Sequence, residues 1–338
     1  MKKSDYLKKK VSSIDVTAGK GVSRLLYEMQ DTGFQGKKLA EAAEVWQCMA
    51  EDEETTIFMG YAGSMSTTGM HRIVRWLVEN RFIDVLVSTG ANVSEDVFEA
   101  MGYSYFQGTH TADDVDLLKN QVNRYYDVYA DELEYRRMEW LIVDFLETLD
   151  AGRSYSSAEF LWEFGKFQNG KKIPSITEAA YRAGVPVFSP AMADSSYGIA
   201  AYLLAKERKK HVVVDQMKDF VQLGEIGERS RSTSAVYIGG GVPKDTIQLV
   251  TVMKDLGLGG ETIYPHKYAV QVTTDSPQWG GLSGCTFEEA TSWGKIDAKA
   301  SKAVVYADAT IALPLISHAL AERVKKKRTG QDFSWLLK

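Results

Sequence analysis

Six short runs along the chain combine small, hydroxyl-bearing and acidic residues: Gly63-Ser64, Ser88-Thr89-Gly90, Ala193-Asp194-Ser195, Gly239-Gly240-Gly241, Thr273-Thr274-Asp275 and Ala307-Asp308-Ala309. Small residues let a ligand approach the backbone, hydroxyls offer hydrogen bonds, and carboxylates accept ribose hydroxyls or hold cations. Together these runs read as a nucleotide cleft. The GxGxxG fingerprint of dinucleotide binding is absent. The triple glycine taken alone is equally well a tight strand-to-helix turn.

Each run follows a segment that reads as a strand. TTIFMGYAG and IDVLVSTG precede the first two, with GMHRIVRWLVENRF as an amphipathic helix between them and VSEDVFEAMG as a helix after. VPVFSPAM, HVVVD, AVYIGGG, KYAVQVTTD and KAVVYAD are further strands, separated by helices at YGIAAYLLAKERK, MKDFVQLGEIGE, PKDTIQLVTVMKDLG and FEEATSWGKI. Pro243 suits the first turn of the third of these. Near-continuous apolar strands alternating with helices predict an α/β fold: a Rossmann-like, doubly wound, mainly parallel sheet with helices on both faces. Ligands bind such sheets at the carboxyl ends of the strands, where the six runs fall. Residues 103–175 are the least regular stretch, and VKKKRTG near the end reads as a solvated helix terminus.

The chain has 338 residues, which allows two domains of ~100–200 residues or one large one. The reading adopted is an N-terminal leader over 1–20 and a single nucleotide-binding domain over 21–338. Hydrophobic residues at 44% and charged residues at 25%, with only 7 prolines, exclude collagen-like, low-complexity and disordered classes. A formal charge of −5 gives no global pull toward nucleic acid. The two cysteines, Cys48 and Cys285, cannot build a disulfide framework or a four-cysteine zinc site, so no metal is expected. No apolar run reaches the ~18 residues of a membrane span; the nearest, 303–317, carries Asp308. A cytoplasmic protein with free thiols is expected.

The segment EEATSWGKIDAKASKAVVYADATIALPL resembles deoxyhypusine synthase. Ser292-Trp293-Gly294-Lys295 matches that family's active-site signature, and Tyr306-Ala307-Asp308-Ala309 follows at its spacing. TGFQG at 32–36, IDVLVST at 83–89, VPVFSPAMAD at 185–194 and IGGGV at 238–242 align in order, so the resemblance runs from about residue 30 to 325. It implies NAD as cofactor and a polyamine or diamine donor oxidised at the amine. A lysine, Lys295, would capture the aminobutyl fragment as an imine and hand it to an acceptor amine. It also implies a homotetramer. The positions matching the family's NAD contacts are Thr67, Thr89, Gly90, Glu95, Asp194, Gly240, Thr274, Asp308 and Ala309. Those matching its substrate contacts are Glu289, Trp293, Asp245 and Gly280.

Lysine has an unperturbed pKa of ~10.4, so a nucleophilic lysine needs surroundings that lower it. Trp293, two positions before Lys295, offers an apolar wall for that purpose. The family pattern is also broken in places. Ile199 and Leu282 stand where aspartates are expected, Asp245 where a histidine is expected, and Ser94 where an acid precedes Glu95. Burying an ammonium without a partner costs several kcal/mol. Either the donor differs from spermidine, or Asp245, Asp275 and Glu288 supply the missing charge, with Asp245 or a water moving the proton. Of the five histidines, only His266 in YPHKY is one to watch, against a plain loop histidine. The expected acceptor is a small amine, as in homospermidine synthases. A protein lysine is the alternative, and a non-catalytic NAD-binding scaffold or sensor is the reading from another class.

Overall fold

The computed structural model describes residues 2–337. Met1 and Lys338, with which the expected leader begins and the expected domain ends, lie outside the described residues. Three helices, α1 (Lys3–Tyr6), α2 (Val22–Met29) and α3 (Phe34–Glu51), precede β1 (Thr55–Tyr61). Then follow α4 (His71–Glu79), β2 (Val85–Ser88), α5 (Gly90–Ala100), β3 (Phe106–Gln107), α6 (Asp114–Lys119), β4 (Val122–Tyr125), β5 (Val128–Asp131) and α7 (Glu132–Thr148). The middle of the chain continues with β6 (Ser154–Tyr155), α8 (Ser157–Lys171), α9 (Ile176–Ala183), β7 (Val187–Phe188), α10 (Ser196–Leu203), β8 (Val213–Val214) and α11 (Gln216–Arg229). The last part comprises β9 (Ser232–Ile238), α12 (Gly241–Gly257), β10 (His266–Thr273), α13 (Phe287–Ser292), β11 (Ile296–Tyr306) and α14 (Ala309–Arg323).

The central sheet has six strands in the order β11-β10-β9-β1-β2-β7, every pair parallel. Side chains alternate across it, as a pleated strand requires. Ile57, Met59 and Tyr61 of β1 enter one apolar core and Phe58 enters the other. On β9, Val236 and Ile238 face the first core while Ala235 and Tyr237 face the second. The sheet is therefore buried on both faces, which is why its strands read as unbroken apolar runs rather than alternating ones.

Several expectations need correction. HVVVD does not join the central sheet: only Val213–Val214 is extended, and it pairs with β6 in a two-stranded sheet of its own. Asp215 then donates its N–H to Tyr155 O at 2.7 Å and caps α11, so the chain leaves the strand at once. VPVFSPAM yields only two ladder residues, because Pro186 and Pro190 flank them without N–H groups. Within 103–175 an antiparallel sheet forms in the order β3-β5-β4. Its hairpin turns at Tyr126-Asp127, with Tyr126 held at φ 57°. No Asn-Gly or Asp-Gly marks that turn, so the usual sequence signal of a hairpin is missing.

VKKKRTG is not a solvated terminus. Arg328 is buried and pairs with the fully buried Asp84 at 2.9 Å, while also donating to Thr55 O. Asp84 accepts from Ile57 N as well, at 2.9 Å. Phe333, Leu336 and Leu337 then enter the second core. The tail thus straps the amino-terminal edge of the sheet. Residues 2–12 are exposed, and no helix among the described residues is long and apolar enough to cross a membrane.

Candidate active site

Three helices begin at the carboxyl edge of the sheet: α5 after β2, α12 after β9 and α14 after β11. Their free N–H groups and aligned peptide dipoles make that edge receptive to anions. Thr89 caps α5, its hydroxyl accepting from Asn92 N at 3.4 Å and also from Asn92 Nδ2 at 3.1 Å. Asn92 in turn donates to Gly63 O at 2.6 Å and accepts from Ser66 N at 3.1 Å, tying the loop after β1 to α5. Gly90 lies against Ser195 and Met192, one strand exit away, beside the exposed Asp194. Asp308 caps α14 by accepting from Thr310 N at 2.7 Å, and Ala309 is that helix's first residue. Thr274 is exposed past the end of β10.

Gly240 has a packing reason to be glycine. A Cβ there would come within 2.6 Å of Ser283, whose hydroxyl accepts from Gly241 N at 3.0 Å. The loop at 282–284 is thereby fixed over the start of α12. Glu95, on α5, is buried with Oε2 unpartnered. Burial pushes its carboxyl up to about 7. A buried acid with one oxygen unengaged is suited to a ligand hydroxyl or cation.

Lys295 arises differently. Thr286 caps α13 by accepting from Glu289 N at 3.0 Å, and the helix ends at Ser292. Gly294 then takes φ 70°, a left-handed conformation that lets Lys295 N fold back to Ala290 O at 3.0 Å. A Cβ at Gly294 would lie 2.6 Å from Ile263. The Lys295 backbone stands at the amino end of β11, its carbonyl accepting from His266 N at 3.0 Å. Its side chain reaches α12: Nζ lies 4.0 Å from Asp245 Oδ1 and 5.4 Å from the Trp293 ring centroid. The lysine side chain is only 13% exposed, whereas Trp293 is 69% exposed and so encloses Lys295 on one side only. Glu289 is exposed, and the neighbouring Cys285 thiol donates to Thr286 O at 3.7 Å. Gly280, at φ 71°, ends an exposed turn.

A neighbouring lysine that the sequence reading passed over is more deeply buried. Lys244, beside Asp245 on α12, is 1% exposed. Its Nζ donates to Cys285 O at 2.6 Å, Gln271 Oε1 at 3.0 Å and Ser283 O at 3.3 Å. Burial lowers its pKa to about 8, against the opposing pull of Cys285, Glu289, Asp245 and Asp275. A lysine one turn into a helix reads as a surface residue; its place between Pro243 and a candidate acid was the only signal. Asn92, Gln271 and Ser283 were missed in the same way.

His266 is neither a loop histidine nor part of this group. It is the first residue of β10, fully buried, with Nδ1 2.8 Å from Thr233 Oγ1, and burial lowers its pKa to about 4.

The family model for deoxyhypusine synthase matches residues 24–320, carrying both the carboxyl-edge residues and the Lys295 group. The chain belongs to the deoxyhypusine synthase family. It is 46% identical over 319 residues to "Probable deoxyhypusine synthase 2" of Methanosarcina mazei, covering 94% of this chain and 91% of the relative. It is 48% identical to the protein of the same name from Archaeoglobus fulgidus, over 86% of this chain and 95% of the relative. The "Deoxyhypusine synthase-like protein" of Chlorobaculum tepidum is 37% identical over all of this chain and 97% of its own length. A crystal structure from Entamoeba histolytica, assigned as a deoxyhypusine synthase, shares the fold at TM-score 0.64 and 16% identity, covering 95% of this chain and 99% of that one.

Members of the deoxyhypusine synthase family are aminobutyltransferases. In this member, Ile199 on α10 and Leu282 beside Ser283 are both partly exposed apolar side chains, and Ser94 is buried with its hydroxyl donating to Ala91 O at 3.1 Å. None of the three supplies charge for an ammonium.

Proposed function

We propose that this chain is an NAD-dependent transferase that moves an aminobutyl-type group from a polyamine or diamine, through an imine on Lys295, to a small amine acceptor. The observation that carries this is the setting of Lys295: a largely enclosed amine 4.0 Å from Asp245 and flanked by the face of Trp293. Asp245 occupies the place where the family pattern has a histidine. A carboxylate beside an amine that must lose and regain a proton is a reasonable acid–base partner.

The carboxyl-edge residues fit a dinucleotide. The sheet order reverses direction at β1, with α5 and α12 starting on either side, which supports reading this edge as a Rossmann-type cleft. Glu95 and Asp308 would take ribose hydroxyls, and the helix starts at Gly90 and Gly240 would face the pyrophosphate, with Thr67, Thr89, Asp194, Thr274 and Ala309 around them. NAD bound there would accept a hydride from the donor's amine-bearing carbon and return it to the final imine. The residues of the chain do the rest. Lys295 attacks the oxidised carbon and displaces the donor's remaining amine. Asp245 takes the proton from the Lys295 ammonium, so that the neutral amine attacks, and passes it to the departing amine. Trp293 and Glu289 hold the aminobutyl chain, the ring along its methylenes and the carboxylate at its free ammonium. The loss of carboxylates at Ile199 and Leu282 shortens the charge pattern available to a long triamine, which favours a small acceptor.

Borohydride added to the protein with NAD and an amine tests this. An adduct mapped to Lys295 with putrescine, spermidine or a homologue is expected. No adduct and no absorbance from reduced cofactor with any of them sinks the reading. The names borne by the relatives support a second acceptor, a protein lysine; a labelled donor incubated with cell lysate would then label a protein band rather than a small product. A homotetramer is the expected assembly, measured by light scattering.

A further inference from the structure

The basic run VKKKRTG takes no part in the Lys295 group or the cofactor cleft. It crosses the amino ends of β1 and β2. There Lys325, Lys326, Lys327 and Arg328, with Arg81 from the turn after α4, line a cavity of about 340 Å3. Trp76 and Phe82 form part of its wall, their rings stacked with centroids 4.8 Å apart. Among the described residues, none that lines it is acidic. The family match ends at residue 320, before all of these cations except Arg81.

The positive charges are only partly answered within the fold. Arg328 and Arg81 are 4% and 6% exposed and share one fully buried carboxylate, Asp84, at 2.9 and 3.6 Å. Their other bonds go to main-chain carbonyls, Arg328 to Thr55 O and Arg81 to Ala183 O at 3.1 Å and Gln331 O at 2.7 Å. Nε of each guanidinium has no hydrogen-bond partner. Lys326 lies 3.2 Å from Glu53. Lys327 Nζ donates to Glu79 O, a neutral carbonyl, at 2.7 Å, and the Glu79 carboxylate is taken by Arg182 at 2.7 Å and Arg75 at 3.4 Å. Among the described residues no carboxylate pairs with Lys325. Arg81, Lys327 and Arg328 also border a neighbouring cavity of about 800 Å3, where the Asp332 carboxylate is held by Ser334 N and Oγ at 2.9 and 3.0 Å.

Both α4 and α14 end at this place, and the carboxyl end of a helix carries about half a negative charge. Two helix ends, Asp84 and Glu53 together answer about three of the five cations that line the cavity, so about two positive charges remain. Helix-end complementarity therefore explains some of the run and not all of it. The surplus matches a phosphate dianion, and guanidinium and ammonium groups are the side chains that bind phosphate oxygens. The volume lies at the small end of the ~300–1,000 Å3 of ordinary ligand sites, with room for the rest of a small molecule in the cavity next to it. We propose that this cavity binds the phosphate or diphosphate group of a small phosphorylated ligand, at a site separate from the Lys295 group and the cofactor cleft. The inference goes beyond the transferase reading and does not depend on it.

Equilibrium dialysis of the full chain against labelled inorganic pyrophosphate, at constant ionic strength, tests it. Saturable binding is expected, unchanged in Lys295→Ala and weakened roughly tenfold or more in the double variant Lys325→Gln with Lys327→Gln. Both lysines are exposed, so the fold is not at risk, and circular dichroism verifies it. No saturable binding, or binding unmoved by the double substitution, overturns the proposal. Displacement of pyrophosphate by NAD overturns it too, because the ion then sits in the cofactor cleft. A single-stranded oligonucleotide that binds more tightly than pyrophosphate, and is weakened by the same substitutions, also overturns it and makes this face a nucleic-acid surface. Loss of NAD binding and of borohydride trapping, with pyrophosphate still bound, refutes the transferase reading and leaves the phosphate site standing.

Discussion

Replacing Lys244 by Met keeps the length of the side chain and removes its charge. In the folded protein the ammonium is buried and its pKa falls from 10.5 to about 8. At 1.36 kcal/mol for each pH unit, that fall corresponds to about 3 kcal/mol of preference for the neutral form. Because the folded pKa lies below the unfolded one, the unfolded chain holds a proton between about pH 8 and 10.5 that the folded chain has released. Stability therefore rises with pH across that window, by up to about 3 kcal/mol from this group. Below pH 8 both states carry the charge and the gain is absent. In Lys244→Met the term vanishes, while Cys285 O loses its donor, at a cost of roughly 1–3 kcal/mol; Ser283 O keeps Gln271 Nε2 at 2.8 Å. Other groups titrate alike in both proteins and cancel in the difference. Urea unfolding at fixed ionic strength, in half-unit steps from pH 7 to 10.5, should show wild type gaining about 3 kcal/mol on the variant between the ends of the range. A difference constant within about 0.5 kcal/mol would refute the placement of Lys244 as a buried ammonium.

Arg328→Met should cost up to roughly 3–5 kcal/mol, because it removes the nearer of the two guanidinium partners of the fully buried Asp84 and leaves only Arg81 at 3.6 Å; adding Asp84→Asn should restore much of it, and a single-variant loss under about 1 kcal/mol in urea unfolding contradicts the strap. Gly294→Ala places a methyl 2.6 Å from Ile263 at a left-handed φ. It should cost about 1–2 kcal/mol and reduce borohydride trapping on Lys295 sharply, whereas unchanged trapping would mean the turn does not position the lysine. Glu95 has a carboxyl raised to about 7 by burial, so its stabilising contribution is full below about pH 4.5 and is lost as pH rises through 7. Glu95→Gln should match wild type near pH 4 and exceed it by up to about 3 kcal/mol at pH 8.5, with weaker NAD binding by fluorescence titration; a pH-independent difference would argue against a buried, unpaired acid.

The glycine, threonine and aspartate runs were legible as strand exits because the turn from a strand into a helix takes small and capping residues, and local composition cannot hide them. Asp308 and Thr89 show this: each sits within two residues of its strand's end and caps the next helix. Lys244 was not legible, since nothing local separates a buried lysine from a solvated one; Gln271, Ser283 and Cys285, all distant in sequence, make the difference. The same holds for Arg328, which reads as one of a basic cluster until Asp84, 244 positions away, is brought to it.

By itself the sequence determined the alternation of strand and helix, the family signature around Lys295 and the clustering of small and acidic residues at strand exits, because periodicity and short motifs are properties of neighbouring residues. Tertiary structure alone decided which charges are buried and that HVVVD lies outside the main sheet. Burial and pairing depend on contacts between segments far apart in the chain. The desolvation that fixes the character of Lys244, Glu95 and His266 exists only once those segments have met.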